Sequence, residues 1–328
     1  MTAKNFLILL GTLLSIVLLV IVFRDLDWYV FFTTLKTVQL PLLFLAATII
    51  ALNVVLRSLR WLLVSRLPLA KYKYFWQAAN IGYLGNIIYP MRAGEVLRIV
   101  AIHHFAPLEI GRAVTSSVID RILDMIIVGI FSLLVFWFHG HRIDPNIGRS
   151  VVGIFIIAAI VLTLLAIFAD YLHGLIQRFI AQEEWQRILQ NWLLHALEGI
   201  QAFRHTNNIL IVLFLTIVIF LLDYFWMWQI MSAFGWDLSF EAGLTVGVFL
   251  LLGSSLPSAP GYIGIYQAAC VLALGLYGID KTSAVAYSIV LQLLNFAVIG
   301  IQGMLVIVLY SFNFAQERQI DLSNISSQ

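Results

Sequence analysis

Arg92, Glu95 and Arg98 follow one another at three-residue intervals in Pro90-Met-Arg-Ala-Gly-Glu-Val-Leu-Arg98. On a helix beginning near Met91 they would share one stripe, and Gly94 would let a backbone or a ligand approach closely. Two guanidiniums flanking a carboxylate suit an oxyanion such as a lipid phosphate. The planar forks bond the oxyanion in pairs while Glu95 fixes one of them. A second charged set, Asp120, Arg121 and Asp124, lies on one helical face. Gln267, Gln292 and Asn295 form a neutral counterpart in the other half of the chain, and Asn86 precedes the first motif. The polar groups are split between the two halves of the chain, which suits transport better than one-sided catalysis. No paired-acid metal motif or activated nucleophile stands out, so the expectation is a non-enzyme without metal or cofactor.

Several of these residues also have plainer readings. Asp120, Arg121 and Asp124 could form a structural ion-pair knot with Arg92, Glu95 or Arg98, which is compatible with a headgroup site. Arg98 alone could be a positive-inside anchor, though that leaves Pro90, Gly94 and Glu95 unexplained. Arg57 and Arg60, just before Trp61 at the end of a span, read as snorkelling residues, and Arg57 would then tolerate lysine. His103 and His104 have no third ligand at metal spacing. Cys270, the single cysteine, excludes an intramolecular disulfide and reads as a packing residue.

The surrounding chain is overwhelmingly apolar. Hydrophobic residues make up 62% and charged residues 11%, with mean hydropathy +0.97, which places the chain in a bilayer. A net charge of +2 is too small to suggest nucleic acid, and none is expected as a partner. Full spans are expected at about 6–23, 41–64, 113–138, 151–169, 207–230 and 284–310, each near the ~20 residues that cross a membrane. The first is read as a retained helix, because Phe-Arg-Asp-Leu-Asp follows it in place of a small-residue cleavage site.

Two further apolar stretches, 77–100 and 242–278, are interrupted by Pro90 and Gly94 and by Pro257, Pro260, Gly261 and Gly264. Unpaired backbone groups are costly in lipid, so these read as re-entrant hairpins whose breaks face protein or a wet cavity. Residues 170–206 have helical amphipathic spacing suited to the interface, with docking of a partner as the alternative. Residues 313–328 form a polar tail expected to fray.

Placing the N-terminus in the cytoplasm puts eleven lysines and arginines inside against five outside. Both termini are therefore expected to be cytoplasmic. The first hairpin would then open inward and the second outward.

Shifting the second half by 171 residues lays Ala284-Val285 over Ala113-Val114, Ser288 over Ser117, Gln292 over Arg121, Asn295 over Asp124 and Gly300 over Gly129. Pro257 and Gly261 match Pro90 and Gly94 at a slightly different offset. With hairpins facing opposite ways, this is the pattern of an inverted-topology repeat, its halves roughly 41–138 and 207–310. The expected fold is an all-α polytopic membrane protein with about six full spans and two re-entrant hairpins.

At these residues the chain resembles the transmembrane, flippase-like region of lysylphosphatidylglycerol synthases and its stand-alone relatives. The resemblance covers about residues 5–312. It rests on Asn86, on Pro90, Arg92, Gly94, Glu95 and Arg98, on Arg121 and Asp124 with Asp120 where the pattern has glutamate, and on Pro257, Pro260, Gly261, Gly264 and Gln267. It implies a flippase-like domain over 1–312 in the cytoplasmic (inner) membrane, a region that in two-domain relatives moves aminoacylated phospholipid. The sequence runs only to Gln328, so a stand-alone member without the synthase domain is expected. Gln267 in place of a glutamate weakens any expectation of proton coupling there.

Lipid translocation is accordingly the leading functional expectation, with a membrane phospholipid or lipid-linked headgroup as partner. No Gly-x-x-x-x-Gly-Lys-Ser/Thr loop is present, so energy would come from a gradient or mass action. A membrane enzyme acting on a lipid carrier is the alternative. So is a scaffold for a separate synthase or glycosyltransferase.

Overall fold

In the computed structural model residues 3–90, 92–106, 108–139, 209–254 and 259–326 are described. Among these, ten α-helices and no strand occur: α1 Ala3–Phe23, α2 Trp28–Lys36, α3 Leu40–Val64, α4 Tyr72–Ile88, α5 Gly94–Phe105, α6 Ile110–His139, α7 Ile209–Ala233, α8 Phe240–Ser254, α9 Ile265–Gly275 and α10 Lys281–Ser326. The chain is a helical membrane protein. Three described helices, α3, α7 and the Lys281–Tyr310 part of α10, are long and apolar enough to cross a bilayer. α6 has the length, at 30 residues, but carries Asp120, Arg121 and Asp124 in its middle. α1 is 21 residues long and uncharged beyond Lys4. The expected span at 151–169 and the amphipathic segment at 170–206 lie outside the described residues.

Local chemistry sets the helix boundaries. Pro41 occupies the first turn of α3, where its missing N–H leaves no hydrogen bond unmade. Asp27 caps α2 by accepting from the amides of Tyr29 and Val30 at 2.9 and 3.1 Å. The short helix α2, unforeseen in the sequence, presents Trp28, Tyr29 and Phe32 outward, the residue types that settle at a membrane interface. The tail does not begin where polarity does. α10 continues to Ser326, because residues 311–326 contain no proline or glycine to stop it.

The two interrupted segments are pairs of short helices. α4 and α5 have 17 and 12 residues, and α8 and α9 have 15 and 11. At 1.5 Å per residue each is about 16–26 Å long, short of the ~30 Å hydrocarbon core. Packing relates the two sets of helices. α3 lies along α7; α4 and α8 each pack on the long helix that precedes them. α5 packs on α6 and α9 on α10, while α4 reaches across to α10 and α8 reaches across to α6. Each broken pair is thus braced by the last long helix of the other set. Cys270 is buried in the core between α7, α9 and α10 with Met227, Ile230 and Tyr287.

Glycines set how closely α4 and α5 approach. A Cβ at Gly82 would stand 2.7 Å from Arg98 Cβ, and one at Gly85 would stand 2.6 Å from a Leu97 methyl carbon. A Cβ at Gly94 would overlap the Gly82 carbonyl oxygen and the Asn86 side chain. Gly94→Ala should therefore destabilise the fold by about 1–3 kcal/mol, the usual range for overpacking. Gly300→Ala, with nothing within 4 Å, should be neutral. Thermal unfolding of the two variants in one detergent checks this; equal midpoints would show that the close approach of α4 and α5 does not matter.

Candidate functional site

An ion network lies where α3, α5, α6 and α7 come together. Arg60 on α3, with no side-chain surface exposed, donates from Nε to Asp120 Oδ1 at 2.9 Å and from Nη2 to Asp124 Oδ1 at 2.7 Å. Its Nη1 donates to Thr216 Oγ1 on α7 at 3.3 Å. Arg98 on α5 donates to the other oxygen of Asp120 at 3.1 Å and lies 4.1 Å over the Trp61 ring. Trp61 is itself tied to Ser116 Oγ at 3.0 Å. Arg121 on α6 pairs with Glu95 at 2.8 Å and with Asp124 at 3.0 Å. Arg57 on α3 pairs with Asp223 on α7 and lies 3.7 Å from Asp124.

Arg92 stands apart from this network. Among the described residues it has no carboxylate partner, whereas Arg57, Arg60, Arg98 and Arg121 each have at least one. It precedes α5 in the left-handed region, φ 54°, a conformation that costs a non-glycine residue about 1–2 kcal/mol. The stripe expected from a helix starting at Met91 therefore does not form. The turn after Pro90 carries Arg92 away from Glu95, and the pair flanking Glu95 is Arg98 and Arg121. Arg92 reaches instead to the end of α8, donating to the Ser254 carbonyl oxygen at 2.8 Å and to its hydroxyl at 3.2 Å. The last carbonyls of a helix form its negative pole, a natural partner for a cation. This contact joins the two breaks.

A cavity of about 340 Å³ opens beside it. Arg57, Asn86, Arg92, Glu95, Arg121 and Asp124 line it from one set of helices, and Asp223, Tyr262, Tyr266 and Asn295 from the other. Of the residues singled out in the sequence, Arg92, Glu95, Arg121, Asp124, Asn86 and Asn295 thus face one space. Arg98 and Asp120 are buried behind its wall, where they position Glu95 and Arg60. Asn86 also accepts from the Gly94 amide at 2.9 Å, capping the first turn of α5.

Gln267 and Gln292 do not line the cavity. Their amides hold the second break together. Gln267 accepts from the Gly264 amide at 2.7 Å and donates to Gln292 at 2.8 Å, and Gln292 donates to the Gly261 carbonyl at 2.8 Å. Pro260 opens a single 3-10 turn, and Gly261 and Gly264 take φ of 67° and 88°. At Gly264 a Cβ would press on the Ser15 carbonyl of α1. Pro257 lies outside the described residues.

Snorkelling does not describe Arg57 or Arg60. Both point into the protein, because Asp120, Asp124 and Asp223 supply the counter-charges that lipid headgroups would otherwise provide. Asp223 itself was missed by the sequence reading. It also accepts from Asn53 Nδ2 and, at 3.3 Å, from Trp226 Nε1. Two signals were there: Asp223 is the only charge in a 25-residue apolar helix, and Asn53, Arg57 and Arg60 share one face of α3.

Removing one member of a buried ion pair strands the other, typically at about 3–5 kcal/mol. Asp120→Ala leaves both Arg60 and Arg98 short of a partner and should collapse the monodisperse yield. Arg92→Ala touches no ion pair and should unfold close to wild type. Size-exclusion profiles and thermal midpoints of both variants check this; a stable Asp120→Ala protein would contradict the structural role of the network.

Two comparisons bear on this architecture. Residues 8–303 match the family described as "Lysylphosphatidylglycerol synthase TM region". A "UPF0104 membrane protein" of Methanothermobacter thermautotrophicus is 20% identical over 263 residues, covering 75% of this chain and 77% of the relative. No solved structure matches.

Proposed function

The chain belongs to the lysylphosphatidylglycerol synthase TM-region family, and from that premise we propose that it is a flippase-like lipid translocator. An anionic headgroup passes through the cavity while its acyl chains stay in the bilayer. One observation carries this reading: Arg92, an exposed arginine with no carboxylate partner among the described residues, faces the cavity where the two helix breaks meet. A guanidinium there offers paired donors to a phosphate, and Tyr262 and Asn295 add polar groups from the facing helices. Ligand sites at the junction of two broken helix pairs are the general arrangement of repeat-built carriers.

The broken pairs act as re-entrant hairpins and the two sets of helices as an inverted repeat, a reading supported by their reciprocal packing. The excess of lysine and arginine on one side supports cytoplasmic termini in the cytoplasmic (inner) membrane. A translocator fits better than an enzyme, because Glu95, Asp120, Asp124 and Asp223 each accept from at least one guanidinium, which leaves none of them placed as a general base.

The test is purified protein in liposomes carrying fluorescent phosphatidylglycerol in one leaflet. Wild type should move the lipid faster than empty vesicles without forming a product. Arg92→Lys should be slower by about tenfold or more, since hydrogen bonds to charged groups contribute about 1.5–3 kcal/mol and lysine lacks the planar fork. Arg57→Lys, which disturbs the bond to Asp223, should also be slower, contrary to the tolerance that snorkelling implies. Unchanged movement in Arg92→Lys would remove the basis of the proposal.

A further inference from the structure

We infer that Asp223 is a specificity-determining residue: by holding Arg57 neutralised, it leaves the cavity one excess positive charge and so selects a singly charged phosphodiester headgroup. The inference rests on the translocator reading and adds the charge class of the substrate. Its basis is a charge census of the network. Five guanidiniums, Arg57, Arg60, Arg92, Arg98 and Arg121, face four carboxylates, Glu95, Asp120, Asp124 and Asp223, among the described residues. The excess is one.

Arg57 would be the second free cation were Asp223 absent. It lines the same cavity, and its other carboxylate, Asp124, already serves Arg60 and Arg121. One carboxylate cannot neutralise three guanidiniums. Asp223 is in turn dedicated to Arg57. Oδ2 faces the guanidinium, while Oδ1 is held by the Asn53 amide and the Trp226 indole N–H. That arrangement fixes the carboxylate in place from both α3 and α7. Arg57 and Asp223 are only 17% and 21% exposed, so a change in their balance is weakly screened in this partly shielded site, and the ligand should bring the charge that completes it. A phosphodiester brings one negative charge. A phosphomonoester brings two at about pH 8, well above its second pKa near 6, and a zwitterionic headgroup brings none in net.

The test varies that excess and reads the preference among fluorescent phosphatidylglycerol, phosphatidic acid and phosphatidylethanolamine in liposomes at about pH 8. Wild type, with an excess of one, should prefer phosphatidylglycerol. Asp223→Asn raises the excess to two and should shift the rate ratio toward phosphatidic acid by about tenfold or more, the scale of one charge at a partly shielded site. Arg57→Gln lowers it to zero and should favour phosphatidylethanolamine. Arg57→Gln with Asp223→Asn restores an excess of one and should restore the preference for phosphatidylglycerol. A merely structural role would slow all three lipids together, and that result overturns the inference. If Asp223→Asn does not fold, Arg57→Gln and the double variant still decide it: any preference other than the two just given refutes the charge rule. Soluble glycerophosphoglycerol blocking as well as the lipid at equal concentration would make the free phosphodiester the ligand and overturn the lipid assignment. Wild type that moves none of the three lipids would remove the translocator reading and this inference with it, whereas wild-type movement with an unchanged ratio in Asp223→Asn removes this inference alone.

Discussion

Arg60 has no side-chain exposure and is held by Asp120 and Asp124, and the rest of the polar interior is arranged around that pairing. An isolated charge within a bilayer-spanning bundle is unstable, so each charge there fixes the position of another. Asp120 holds Arg98, which stacks on Trp61 and reaches Glu95; Glu95 and Asp124 hold Arg121; Asp124 also lies near Arg57. The chain of pairs ties α3, α5 and α6 together and ends on α7 at Asp223. A buried network of this kind contributes little net stability by itself compared with apolar packing. Its pairings link four helices in one arrangement, and Arg92, exposed at its edge, has no carboxylate partner among the described residues.

The second constraint is the backbone. A helix that ends inside the packed bundle leaves amides and carbonyls that need partners. The two breaks meet this need differently. At the first, the Asn86 side chain satisfies the Gly94 amide, and Gly82 and Gly85 let α5 lie against α4. At the second, Gln267 and Gln292 take up a backbone amide and a carbonyl, and Ser15 of α1 bonds the Ala259 amide at 2.9 Å. The Arg92–Ser254 contact then joins the breaks through the final carbonyl of α8. An anion entering the cavity would compete with that carbonyl for the same guanidinium, so the proposed headgroup binding would be linked to the contact between the breaks.

Much of this was legible in the sequence, because it follows from strong local rules. Apolar length marked α3, α7 and α10, and proline with glycine marked both interruptions. Asp120, Arg121 and Asp124 stood out because charge is rare in such a chain. The pairings were harder to read. Arg57 and Arg60 sit near the end of an apolar helix, where snorkelling and ion pairing look alike until a carboxylate on another helix is located. Asp223 is a single letter in a hydrophobic run, and its meaning depends on the packing of α3 against α7. The positive φ at Arg92 comes from the turn after Pro90, not from any preference of arginine, so a helical stripe was drawn one turn too early. Gln267 and Gln292 were recognised as polar residues that need partners, but whether those partners were ligand or backbone depended on the fold of the second break.

Under the proposed function, Arg92 supplies the positive charge without a carboxylate partner that receives an anionic headgroup. Native mass spectrometry of the purified protein with equal amounts of phosphatidylglycerol and phosphatidylethanolamine tests it most directly. Wild type should retain one phosphatidylglycerol preferentially, and Arg92→Ala should lose that retention while keeping its thermal midpoint. Equal retention of phosphatidylglycerol by a folded Arg92→Ala protein would contradict the account.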